Sequence, residues 1–416
     1  MVNITKLDCG ATLVTEKTDF VQSAALGIWV RNGSANETPE VSGVSHFIEH
    51  MMFKGTSTRT AKEIAQAVER IGGMFNAFTG KEATCYYIKT LSSHIYQGAE
   101  ILIDMLTRSN FAQKELDKER QVILEEIKMV KDTPDDDVFE MIGELVSSGN
   151  PLGNSILGTP ESLAGINHDE IVKYYSDKYA RDAIVIAVAG NFDEQKLIDM
   201  FNSSLMCLRE SNPTVKPDLN PYRQQIEVKK KDIEQTHICL AVPGVSLDDD
   251  RRHAFNVMNS IFGGSMSSRL FQTIREEKGL AYSVASMCNS MSYWGFFNIY
   301  AGIAHEKAEE TIKAIREELD KLRTDGVSDD ELLMAKEQMK SGYIFGLENV
   351  NSRMFGLGKN VTLLNRVLTP EEVMANIDSV TRKDVLDAAE MIGDLSCYSG
   401  AAVTGTDFNL EELIKR

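Results

Sequence analysis

The sequence predicts an α+β chain of two similar domains, each a mainly antiparallel sheet packed with helices. Three observations carry that prediction. The chain has 416 residues, too many for one ordinary core and comfortable for two domains of roughly 200 residues each. Strand-like and helix-like patterns mix in both halves, and strand patterns joined by short turns favour antiparallel pairing. The layout before residue 209 recurs after residue 224, which indicates an internal repeat.

Taken in order, Phe20–Val30 (FVQSAALGIWV) reads as a strand and Val44–Phe53 as the helix that follows it. Thr60–Gly73 reads as a helix ending at a glycine pair. Gly72–Leu91 is rich in β-branched and aromatic residues and has a turn signal near Gly80, so it reads as a strand pair. Phe111–Ile127 has a polar start, a Glu-Leu pair and then a long helical stretch. Ala183–Gly190 (AIVIAVAG) is the longest apolar run. It is far short of the roughly 20 residues that span a bilayer and reads as a buried strand. Arg209–Gln224 holds three of the nine prolines and almost no periodic apolar pattern. The expected division is therefore an N-terminal domain over 1–208, a linker over 209–224 and a C-terminal domain over 225–416. In the second half, Glu234–Gly244 repeats the strand, His253–Phe262 the helix and Val327–Tyr343 the long helix. Pairing Leu116 with Leu332 sets the repeat offset at 216 residues.

Composition narrows the function. The chain is 43% apolar and 25% charged, ordinary for a soluble globular protein. Its net charge of −18 repels phosphate backbones, so no nucleic-acid partner is expected, while cationic peptides would be attracted. No two of the six cysteines form a C-x-x-C pair, which predicts reduced, mostly buried thiols. The N-terminal stretch MVNITKLDCGATLV lacks the basic and apolar regions of a secretory signal and the Arg/Ser bias of an organelle presequence. A soluble, cytoplasmic protein with no membrane partner is the expectation.

The stretch GVSHFIEHMMFKGT (Gly43–Thr56) concentrates the chemistry. Helical residues four apart project from one side, so His46 and His50 can offer two imidazoles to one cation. Imidazole suits Zn²⁺, and a catalytic zinc site takes three protein ligands with a place left for water. Glu49 projects near the same side and, if it does not bind metal, can accept a proton from that water. This is H-E-x-x-H in reverse order, H-x-x-E-H. A third ligand is needed. Glu119 and Glu126 lie seven apart on one face of the Glu115–Lys131 helix, whereas Glu125 is rotated about 100° from Glu126. One carboxylate could bind the metal and its neighbour support a histidine; spacing alone does not say which.

GVSHFIEHMMFKGT together with ERQVILEEIKMVKDTPDD (Glu119–Asp136) resembles the pitrilysin-type inverzincin zinc peptidases, a family that includes insulin-degrading enzyme and the β subunit of mitochondrial processing peptidase. In that family the metal-binding glutamate follows the second histidine by about 76 residues, and here Glu126 stands 76 residues beyond His50. The resemblance implies that His46, His50 and Glu126 bind one Zn²⁺ per chain, that Glu49 is the general base and that Glu119 is the supporting acidic member of the catalytic set. NAFTGKEATCYY (Asn76–Tyr87) is similar to the family's substrate-binding edge strand. It implies that Asn76, Ala77 and Phe78 bind an extended peptide through an open strand edge. FGGSMSSRLFQTIREEKGLAYSV (Phe262–Val284) is similar to the C-terminal motif. Arg275 and Tyr282 fall on its Arg and Tyr, implying substrate binding and stabilisation of a developing oxyanion. Gly263–Gly264 makes no phosphate loop, since no G-x-G-x-x-G spacing follows. At the 216 offset Glu126 maps to Gly342 and Glu119 to Ala335, so the second half lacks the metal set.

The resemblance thus implies a processing-peptidase-like α+β fold and a zinc endopeptidase cleaving peptides or unfolded segments. Members of this length are half of a four-domain peptidase, which implies a homodimer closed around an internal chamber. The alternatives are a non-catalytic structural or binding subunit on the same fold, or a processing peptidase that needs a different partner subunit.

Overall fold

The protein is described by a computed structural model covering residues 2–211, 219–407 and 409–416. Residues 212–218 of the expected linker lie outside the described residues. The chain forms two compact units: Met1–Lys128, Asn154–Asp218 and Phe345–Val367 make the first, and Met129–Gly153, Leu219–Ile344 and Leu368–Arg416 the second.

The first unit is built on a six-stranded sheet of β1 (Val2–Lys6), β2 (Thr12–Lys17), β3 (Ser23–Val30), β4 (Met74–Thr79), β5 (Thr84–Leu91) and β6 (Ile184–Gly190), in the order β1-β2-β6-β3-β5-β4. All pairs are antiparallel except β2 with β6. Helices α1 (Val44–Met52), α2 (Ala61–Arg70) and α4 (Gln113–Asp132) stand where expected, and α3 (Ile95–Arg108), not read from the sequence, precedes α4. One core joins Leu26, Ile28 and Ile88 of the sheet to Phe47, Ile48, Met51 and Met52 of α1. That burial explains the Met-Met pair after His50: Met51 and Met52 are core ballast that seats the helix.

The second unit repeats the plan. Strands β7 (Ile226–Lys230), β8 (Gln235–Pro243), β9 (Ala281–Ser290), β10 (Gly295–Ala304) and β11 (Ser399–Thr404) are ordered β7-β11-β8-β10-β9. Again one pair, β7 with β11, is parallel and the others antiparallel. The sheet matches β2-β6-β3-β5-β4 strand for strand, and the Arg252–Phe262 and Asp329–Leu347 helices stand where the repeat places counterparts of α1 and α4. Ala335, the position that corresponds to Glu119, is the buried residue of the latter helix.

The units are not the contiguous halves expected from the proline-rich stretch. The Val350–Leu364 helix packs Met354, Leu357 and Val361 against Val14, Trp29 and Val185 in the first unit. Reciprocally, α5 (Pro134–Ser147) packs Val138, Ile142 and Val146 against Cys239, Ala241 and Val403 in the second. The cause lies in the central strands. Ile184–Gly190 and Ala24–Val30 are buried at every residue, so both sheet faces need cover. A half-chain supplies helices for one face, and a helix from the other half covers the second. The fit is close: a Cβ added at Gly358 would stand 2.0 Å from Trp29 Nε1. Gly358→Ala should therefore lower stability by about 1–3 kcal/mol through overpacking, read as a lower urea midpoint. An unchanged midpoint would mean that this helix does not pack on Trp29.

Among the described residues no helix is long and apolar enough to cross a membrane. All six cysteines are free; Cys9, Cys85 and Cys239 are buried, but Cys207 and Cys397 are exposed, so the thiols are less uniformly buried than expected. Cys207 follows the end of the Glu194–Leu205 helix, and Cys397 closes the Leu395–Cys397 turn.

Candidate metal centre

Helix α1 begins at Gly43, whose backbone takes the left-handed region at φ 90°. A Cβ there would meet Leu157 O at 2.6 Å, so glycine is required twice over. No N-cap side chain is present; instead the Glu37 carboxylate accepts from the backbone N–H of Gly43 and of Ser45, each at 2.7 Å. These are orphan donors of the first turn, and an anion there also meets the positive end of the helix dipole. Burial pushes Glu37 up to about 7 even so. Val44, Phe47, Ile48 and Met51 face the core, which leaves His46, Glu49 and His50 on the opposite, partly open face.

Helix α4 is set against α1 by buried Leu116, Ile123 and Ile127. Arg120 strengthens the contact: its guanidinium lies 5.5 Å from the Phe47 ring centroid and donates to the carbonyls of Leu163 and Ile166. The result brings three donors together. Glu126 Oε2 lies 3.8 Å from His46 Nε2 and 3.6 Å from His50 Nε2. Among the described residues these three form the one group of His, Cys, Asp and Glu side chains spaced to hold a metal ion. Glu125, set apart from Glu126 by helical spacing, turns outward with its side chain 71% exposed and pairs with Lys128.

The donor set fits zinc. Tetrahedral ligands about 2.0 Å from zinc stand roughly 3.3 Å apart, close to the two separations above. Burial, with the nearby His50, pushes the His46 imidazole down to about 4, which keeps it neutral with a lone pair to offer. His46 Nδ1 is buried with no hydrogen-bond partner among the described residues, and Nε2 is the nitrogen turned toward Glu126.

Glu119 is not one of the three grouped donors. Its Oε2 lies 3.1 Å from His50 Nδ1, and its Oε1 2.7 Å from Lys54 Nζ. The sequence reading made it the supporting acidic member of the catalytic set, and it stands beside His50 and outside the three-donor group. An ionised carboxylate only accepts, so this contact favours the proton on His50 Nδ1. Lys54 completes this chain and was not singled out from the sequence, although it stands in the same stretch.

Glu49 is held from the other side. Thr79 Oγ1 donates to Glu49 Oε2 at 2.5 Å. Burial pushes the Glu49 carboxyl up, and Glu126 adds to this, while the Thr79 hydroxyl and His50 pull it down. Thr79 closes β4, the outer strand of the sheet, which among the described residues pairs with β5 alone. Along β4 the side chains alternate. Phe75 and Ala77 pack toward the core that seats α1, and Phe78 turns to the opposite face, 5.5 Å from Trp29 and 5.9 Å from Phe355. Of the expected substrate residues Asn76, Ala77 and Phe78, then, Ala77 and Phe78 spend their side chains on packing, and the Asn76 side chain accepts from the Ala77 N–H at 2.9 Å.

In the second unit, Arg275 sits on a wide helical turn, Phe271–Glu277, and Tyr282 is the second residue of β9. The guanidinium lies 4.8 Å from the Phe271 ring and 5.9 Å from the Tyr282 ring, and Tyr282 is 78% exposed.

Residues 12–160 match the profile of Insulinase (Peptidase family M16), and residues 165–339 that of the Peptidase M16 inactive domain. The chain belongs to peptidase family M16. It is 41% identical, over 385 residues, to a Bacillus subtilis protein named uncharacterized zinc protease YmxG, covering 92% of this chain and 93% of that one. In fold it is similar to a protease from Helicobacter pylori, with a TM-score of 0.91, 21% identity, and 97% and 99% of the two chains covered. A peptidase M16 inactive domain from Pseudomonas fluorescens gives the same TM-score at 19% identity, with 98% of each chain covered. The two M16 profiles divide the chain as the chemistry does: the H-x-x-E-H helix and Glu126 fall under the first, and the stretch without a metal set under the second.

Proposed function

We propose that this M16 chain is a zinc-dependent endopeptidase in which His46, His50 and Glu126 hold one zinc ion and Glu49 is the general base. The observation that carries the reading is the convergence of those three donors beside a second, half-buried carboxylate, Glu49, on the helix that carries both histidines. A bound zinc ion would supply a Lewis acid that polarises a peptide carbonyl and acidifies water. Glu49 accepts the proton of the attacking water and returns it to the leaving amine. Lys54 and Glu119 keep the His50 ring oriented, and the neutral His46 needs no deprotonation at neutral pH. The open edge of β4 accepts an extended peptide by strand addition, with Asn76–Phe78 contributing backbone groups. Arg275 and Tyr282 are assigned by their motif to the substrate carbonyl; their exposure suits them to meet a ligand. By the same resemblance the chain works as a homodimer around a chamber that admits peptides and unfolded segments.

The test is a quenched fluorescent peptide with basic residues, given to the purified full chain. Hydrolysis should stop on chelation and return with zinc. Chelator-insensitive cleavage, or a fully zinc-loaded protein that cleaves nothing, would overturn the reading.

A further inference from the structure

Resting on the assignment of Glu49 as base, we propose that the Thr79 hydroxyl is the positioning group of that base: it engages Oε2 and leaves Oε1 for the attacking water. A glutamate side chain has three rotatable torsions, and a general base works only when its oxygen meets the proton in line. Among the described residues the Thr79 hydroxyl, at 2.5 Å, is the hydrogen-bond donor to the Glu49 carboxylate. Without it the carboxylate would be free to turn within its niche.

Thr79 is well placed to act as a fixed point. It shares the parity of Phe75 and Ala77, so the pleat aims it at α1. Its backbone is paired with Thr84, and the turn beyond it is closed by Gly80 N–H to Ala83 O at 2.8 Å. That turn is tied to the loop before α1: Ser34 N–H donates to Gly80 O at 3.2 Å and Ala35 N–H to Lys81 O at 2.8 Å. Gly33 permits the approach, since a Cβ there would lie 2.2 Å from Gly80 O. The hydroxyl is thus mounted on a braced hairpin, and the strand that carries it is the one whose outer edge is open to an extended peptide. One element then sets both the peptide and the base, so their separation does not depend on a flexible loop.

Two variants test this. Thr79→Val keeps the shape and removes the hydroxyl; Thr79→Ser keeps the hydroxyl. In the zinc-loaded full chain Thr79→Val should lower kcat by about 10–100-fold with KM and zinc content unchanged, and Thr79→Ser should stay near wild type. Crystal structures of the metal-free proteins should show the Glu49 carboxylate displaced in Thr79→Val and in place in Thr79→Ser, with His46 and His50 unmoved in both. Wild-type kcat in Thr79→Val, an equal loss in both variants, or loss of zinc would overturn the inference. A zinc-loaded wild type without activity would instead overturn the proposed function. The crystal structures would then decide alone: an unmoved Glu49 in Thr79→Val refutes positioning, and a displaced one sustains it.

Discussion

Replacing Glu49 by Gln should stop turnover while leaving zinc bound. The substitution keeps the length and volume of the side chain, and its amide oxygen can still accept from Thr79 Oγ1. What it removes is a group able to take a proton. General-base catalysis contributes roughly 10²–10⁴-fold, and kcat should fall by at least that range. Zinc should stay at one per chain, because the His46, His50 and Glu126 donors that converge do not include Glu49. Peptide hydrolysis and elemental analysis on the same sample read both halves of the expectation. Undiminished hydrolysis would refute the base, and lost zinc would make Glu49 a ligand instead.

Replacing Glu126 by Ala should remove the metal. It is the anionic member of a set whose other two donors are imidazoles, so two neutral ligands would be left. Loss of a group that merely orients a ligand costs about 10–100-fold in metal affinity, and loss of this ligand should cost more. Competition against a zinc-binding dye measures it. The control is Glu125→Ala, one residue earlier on α4 and outward-facing beside Lys128; its affinity and activity should match wild type. Zinc lost from Glu125→Ala and retained by Glu126→Ala would reverse the assignment made on this helix.

Local patterns were readable because they are set by short-range geometry. Alternation and turn residues mark the β4–β5 hairpin, and the 216-residue repeat marks the matching sheets. The continuous apolar run of Ile184–Gly190 even shows that a second helix layer is needed. What it does not show is which helix provides that layer. The proline-rich stretch suggested two contiguous domains, yet Val350–Leu364 and α5 each complete the sheet built from the other half. That exchange depends on the path of the whole chain.

The same division runs through the metal centre. Helical periodicity by itself placed His46, Glu49 and His50 on one side of α1, and residue chemistry by itself pointed to a cation and a base. It also set Glu125 apart from Glu126. It could not choose between Glu119 and Glu126, which share a face; family spacing suggested the choice. Only the packing of α4 on α1, through Ile123, Arg120 and Phe47, puts Glu126 beside both Nε2 atoms and Glu119 behind His50. Thr79, Lys54 and Glu37 emerged only in three dimensions. Their side chains are ordinary in sequence, and each acquires its role from one contact: a hydroxyl on Glu49, an ammonium on Glu119, a carboxylate on the first turn of α1. Periodicity orients side chains within an element, whereas the distances that allow proton transfer and metal binding arise between elements and are set by how their apolar faces close.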